Sequence, residues 1–98
     1  MQPLLALSDP TRQRILEMLV AGPMSSGDIA RRFAISAPAV SQHLKTLREA
    51  QLVRVRVAAQ KRIYELDATG VAELAEWVTR IRSFWSTKLD ALEEALTK

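Results

Sequence analysis

The sequence predicts a mainly α-helical chain with one small β-hairpin, and three observations carry that expectation. Apolar residues recur at helical spacing behind capping residues, two short stretches between residues 53 and 66 alternate with period two, and neither proline nor glycine interrupts residues 71–96. Ninety-eight residues, 48% of them hydrophobic, suit one domain over residues 1–98. A core that small gains from a partner subunit.

The elements follow in order. Leu4, Leu5 and Leu7 suggest one short helical turn. Asp9-Pro10 opens a helix, because Asp9 can cap and Pro10 lacks only an N–H that the first turn leaves unpaired. Ile15, Leu16, Leu19 and Val20 give it an apolar stripe, and Gly22-Pro23 ends it. Ser25 or Ser26 starts the next helix, with Asp28 in its first turn and Ile29, Ala30 and Phe33 as its stripe. Ala34-Ile35-Ser36 reads as a tight connection to a further helix over residues 36–50, capped by Ser36. Two short helices joined by about three residues, the second with a polar face, describe a helix-turn-helix.

In that second helix Val40, Leu44 and Leu47 point one way, into a core. Ser41, Gln42, Lys45 and Thr46 lie off the stripe, and Ala37 and Pro38 form the N-terminal tip. Such a helix fits a DNA major groove: Gln42 can bond adenine in two places, Ser41 can pair with base or phosphate, and Ala37 permits close approach. An ordinary amphipathic surface helix fits the same pattern.

After Leu52, residues 53–57 alternate valine and arginine, and residues 62–66 alternate again beyond a polar turn at 58–61, which predicts a hairpin over residues 53–66. One face would carry Val53, Val55, Val57 and either Ile63 or Tyr64. The other face and the tip would present Arg54, Arg56, Lys61 and Arg62. Residues 37–66 hold six basic groups against two acidic ones, whereas residues 67–98 hold four against six. The positive excess is therefore local, as expected of a surface that meets a polyanion, or of a basic edge kept in solvent.

Residues 69–97 read as one long helix after a cap at Asp67. Val71, Leu74, Val78, Ile81, Trp85, Leu89, Leu92 and Leu96 are spaced near a heptad, with Trp77 and Phe84 beside them. Its stretch from Val71 to Leu96, about 26 residues at 1.5 Å each and so roughly 39 Å, exceeds what so small a domain can cover. A second copy would bury the stripe, and Leu4 and Leu5 could join that interface.

Asp9-Pro10-Thr11-Arg12 with Ile15-Leu16, Ser41-Gln42-His43-Leu44-Lys45, Leu47-Arg48-Glu49-Ala50, Leu52-Val53 and Arg62-Ile63-Tyr64 together resemble the ArsR/SmtB family of bacterial winged helix-turn-helix repressors. The resemblance runs from about Leu4 into the last helix. It implies a winged helix-turn-helix with a long C-terminal dimerisation helix, acting as a homodimer on an inverted-repeat operator in double-stranded DNA. On that likeness Ser36, Ala37, Pro38, Ser41, Gln42, His43 and Lys45 occupy recognition-helix positions, and Lys61 and Arg62 the wing. Two departures stand out. Gln51 and Ala59-Gln60 replace glycines common in the family, so somewhat different local turns are expected there.

Well-known members sense metals. This chain has no cysteine and one histidine, so thiolate sites are excluded and no metal or other cofactor is expected. His43 is read as a phosphate or base contact, or as a packing residue. Catalytic constellations are also missing: there is no second His for a Ser nucleophile and no glycine-rich phosphate loop. Without an apolar run of about 20 residues or a basic n-region, the expectation is a cytoplasmic regulator without membrane contact, its effector unspecified. The competing reading is a winged-helix interaction module whose basic face takes an acidic protein.

Overall fold

The computed structural model describes residues 2–97. Along the chain come α1 (Gln2–Ala6), α2 (Pro10–Val20), β1 (Met24–Ser25), α3 (Ser26–Ala30), α4 (Ala37–Glu49), β2 (Val53–Ala58), β3 (Lys61–Leu66) and α5 (Ala68–Leu96). The strands form one antiparallel sheet in the order β1-β3-β2. This is a winged helix-turn-helix with a long C-terminal helix.

Asp9, Ser36 and Asp67 cap where the sequence puts them, and of the two serines offered for α3 it is Ser25 that caps. Asp9 Oδ2 accepts from the Arg12 amide at 3.0 Å, Ser25 Oγ from Asp28 at 3.1 Å and Ser36 Oγ from Ala39 at 3.2 Å. Asp67 Oδ1 takes the amides of Thr69 and Gly70 at 3.1 and 3.3 Å. Each such cap is worth about 1 kcal/mol. The hydrogen bond from the Arg12 amide holds the Asp9 carboxyl below its ordinary value.

The core gathers Ile15 and Leu19 of α2, Ile29 of α3, Val40, Leu44 and Leu47 of α4, then Leu52, Val53 and Tyr64. Val71 and Leu74, at the start of α5, pack against it. It therefore sits between the helix-turn-helix and the inner face of the sheet. The tip of α4 is left outside.

Three local expectations are corrected. First, α3 ends at Ala30, and the chain continues in i→i+3 bonds, Arg32 N–H to Ile29 C=O at 3.0 Å and Phe33 N–H to Ala30 C=O at 3.2 Å. Phe33 thus packs on the core from the turn, not from the helix, and the connection to α4 is longer than three residues. Second, β1 joins the sheet through Met24 opposite Tyr64 and Ser25 opposite Ile63. Two residues are too few to show a period, so nothing in the sequence announced it.

Third, the positions that lack glycine keep the left-handed backbone. Gln51 has φ 63°, Ala59 51° and Gln60 66°. At Gln51 the chain closes α4 in a Schellman arrangement, Gln51 N–H to Arg48 C=O at 2.9 Å and Leu52 N–H to Leu47 C=O at 3.0 Å. Leu47 and Leu52, the hydrophobic pair of that motif, are both buried. Ala59 and Gln60 form a two-residue hairpin turn with positive φ at both positions, tighter than the 58–61 turn expected. The wider structure enforces a conformation that costs an L-residue about 1–2 kcal/mol. Gln51→Gly is accordingly expected to raise unfolding stability by up to about 1 kcal/mol, after the entropy of the added glycine is deducted. Urea titration checks it, and a loss of stability would contradict the strained closure.

Candidate nucleic-acid interface

The interface is built from α4 upward. Burial of Val40, Leu44 and Leu47 fixes the helix's rotation, and that rotation leaves Ser36, Ala37, Pro38, Ser41, Gln42 and Lys45 exposed on one side. Six of the seven residues the sequence proposed for this helix therefore share an open face. The seventh does not.

His43 is half-buried and turned toward α2. Arg12 Nη1 lies 3.2 Å from His43 Nδ1, with Asp9 Oδ2 3.8 Å from the same nitrogen. Arg12 also donates from Nε to the Ala6 carbonyl at 2.6 Å and from Nη2 to the Leu5 carbonyl at 3.2 Å. A guanidinium only donates, so Nδ1 accepts and the ring proton sits on Nε2. Arg12 and His43 thus tie the end of α1 to the middle of α4. Of the two roles read from sequence, the geometry matches packing.

The wing requires a second correction. Residues paired across antiparallel strands share a face. Val53 pairs with Leu66, Val55 with Tyr64 and Val57 with Arg62, which places Arg62 on the inner face. The partner in the apolar set is Tyr64, not Ile63. Arg54 pairs with Glu65 and Arg56 with Ile63 on the outer face, where Glu65 Oε1 lies 2.9 Å from Arg54 Nε and 3.9 Å from Arg56 Nε. The expected basic quartet is thereby divided. Arg54 and Arg56 share a carboxylate behind the wing, Lys61 stands near the turn, and Arg62 faces the helix.

Two notches lie along this side. Ser41, Gln42, Lys45 and Arg48 of α4 line the first, a space of about 130 Å³, together with Arg62 and Tyr64 of β3. The second, about 320 Å³, runs between the start of α3 and the wing turn and includes Ser25, Arg31, Lys61 and Arg62. Arg62 borders both.

A helix-turn-helix domain profile matches residues 7–56, the stretch from the end of α1 into β2. The HTH-type transcriptional regulator Rv2034 of Mycobacterium tuberculosis is 48% identical over 84 residues, 86% of this chain and 76% of that protein. Transcriptional repressor SdpR of Bacillus subtilis is 40% identical over 73 residues, 74% of this chain and 81% of that protein. An ArsR-like transcriptional regulator from Rhodococcus sp. RHA1 superposes with a TM-score of 0.77 at 28% identity, covering 95% of this chain and 88% of that one. The chain belongs to the ArsR family of winged helix-turn-helix transcription regulators.

In this ArsR-family chain the long helix supplies the other surface. None of α5's residues is fully buried. Val71 and Leu74, expected in an intermolecular seam, are already packed on the chain's own core. From there outward the stripe stands open: Val78, Trp85, Leu89, Leu92 and Leu96 are exposed, Ile81 half so. Phe84 joins them, its ring 5.7 Å from Trp85 in an edge-to-face pair. Leu4 and Leu5 of α1 are exposed as well. Among the described residues no three His, Cys, Asp or Glu side chains gather in a group that could hold a metal ion, and no helix is long and apolar enough to cross a membrane.

Proposed function

We propose that this ArsR-family chain is a homodimeric, sequence-specific DNA-binding repressor, without a cysteine-based metal sensor and without catalytic activity. Each subunit sets the N-terminal half of α4 into a major groove of an inverted-repeat operator, with half-sites about 34–36 Å apart. One observation carries the reading: the exposed Ser36-to-Lys45 face of α4 projects beside cations contributed by a second element, the wing. Ser41 and Gln42 are placed to read base edges and Lys45 and Arg62 to meet phosphates. The half-exposed apolar stripe of α5, with Leu4 and Leu5, supports pairing with a twin. Repression is taken from the kinship with SdpR, named as a transcriptional repressor.

A salt series tests this against capture of an acidic protein. Affinity for a selected duplex should fall steeply with salt while staying well above that for random duplex. Equal affinity for both duplexes would remove sequence-specific repression from consideration. Within the same assay, Gln42→Ala should cost about 1–3 kcal/mol on the preferred duplex and relax the choice of base at one position per half-site. Unchanged base preference would take Gln42 off the reading face.

A further inference from the structure

Arg48 falls near the end of α4, away from its N-terminal tip. The fold gives it company. Arg48 and Lys45, three residues apart and so on one side of the helix, line the same notch as Arg62, which the hairpin register turns inward. The ion pairs found elsewhere make the contrast. Arg31 is paired with Asp28, Lys45 reaches Glu49 only at 3.9 Å, and Arg54 and Arg56 share Glu65. Among the described residues neither Arg48 nor Arg62 has a carboxylate within 4.0 Å. The two guanidiniums and the Lys45 ammonium thus border one recess whose lining, completed by Ser41, Gln42 and Tyr64, holds no acid. Like charges brought together in this way repel one another until an anion enters, and every side chain there except Tyr64 can reach solvent.

Resting on the DNA-binding reading above, we infer that Arg48 of the recognition helix and Arg62 of the wing clamp one and the same backbone phosphate of the duplex in this notch, with Lys45 alongside. The wing then does more than add a separate contact. It closes over the phosphate that α4 already holds, fixing the depth and register at which Ser41 and Gln42 meet the bases. A guanidinium offers paired N–H donors that suit a phosphate better than an ammonium does, so Lys is no full substitute at either position.

The test uses the whole chain and the duplex it selects from a random pool. Arg48→Gln and Arg62→Gln are each expected to lower affinity on the order of tenfold per half-site and to flatten the salt dependence. Both residues are exposed, so melting curves should match the parent. The double variant should lose little more than either single one, because both substitutions empty the same contact. A scan that replaces one phosphate at a time with uncharged methylphosphonate should find a single position per half-site at which the parent and both variants bind alike. Multiplying losses, different positions for the two arginines, or no effect of Arg48→Gln would each overturn the shared clamp while leaving DNA binding intact. If no duplex is selected at all, the regulator reading and the clamp fall together.

Discussion

Trp85→Glu should turn the protein into monomers. In a single chain the indole is 56% exposed and packs edge-to-face with Phe84, which is 54% exposed. Leu89 and Leu92 continue the same open stripe. Covering the open half of a tryptophan, on the order of 125 Å² at about 25 cal/mol per Å², favours association by roughly 3 kcal/mol per subunit. Glutamate forfeits that gain and adds a carboxylate that must lose its water in the seam, with its symmetry mate nearby. Sedimentation at micromolar concentration should report the mass of one chain for the variant and two for the parent. Helix content should survive, because Trp85 is exposed and lies outside the buried core cluster. Operator affinity should drop by a factor of about 10²–10⁴, since two half-sites no longer bind as one linked unit. A variant that stays dimeric would move the interface off this face of α5.

Gly70→Ala should cost about 2–4 kcal/mol, against the usual sign. Inside a helix that exchange ordinarily gains up to about 1 kcal/mol. Here a Cβ on Gly70 would lie 1.7 Å from the Gln51 carbonyl oxygen and 2.8 Å from its carbon. Neither side can yield cheaply. Gln51 is fixed by the closure of α4, and the Asp67 amide holds the Leu52 carbonyl at 2.9 Å. The start of α5 would have to lift away, taking Val71 and Leu74 off the core. The melting temperature should fall by roughly 8–32 °C, at 4–8 °C per kcal/mol for a domain of this size. A rise would mean that α5 does not sit so close to the end of α4.

Features written in local chemistry were legible from sequence. Asp9, Ser25, Ser36 and Asp67 cap helices because short polar side chains before an apolar stripe have few other uses, and valine alternation at 53–57 specifies a half-buried strand. The α4 face followed from three core positions. What escaped depends on contacts between distant segments. The two-residue β1 exists only by pairing with β3. Arg62 lies on the inner face because it pairs with Val57 across the strands, and the sequence alone left open whether Ile63 or Tyr64 shares the valine face. His43 lies on the recognition helix by position, yet Arg12, thirty-one residues away, holds it inside. Gln51 and Ala59 suggested altered turns because they are not glycine, but the surrounding hydrogen bonds and packing impose the left-handed backbone regardless. The division of α5 into a packed start and an open remainder was likewise invisible in its even apolar spacing.

Two copies of α4 reading a symmetric DNA site would leave their mark on the sequences the protein selects. Selection of bound sequences from a random duplex pool tests it most directly, since one experiment reports binding, symmetry and spacing together. The expected result is enrichment of an inverted repeat whose half-site centres lie one helical turn, about 10–10.5 base pairs, apart. A pool that enriches no sequence, or enriches a single asymmetric site, would contradict it.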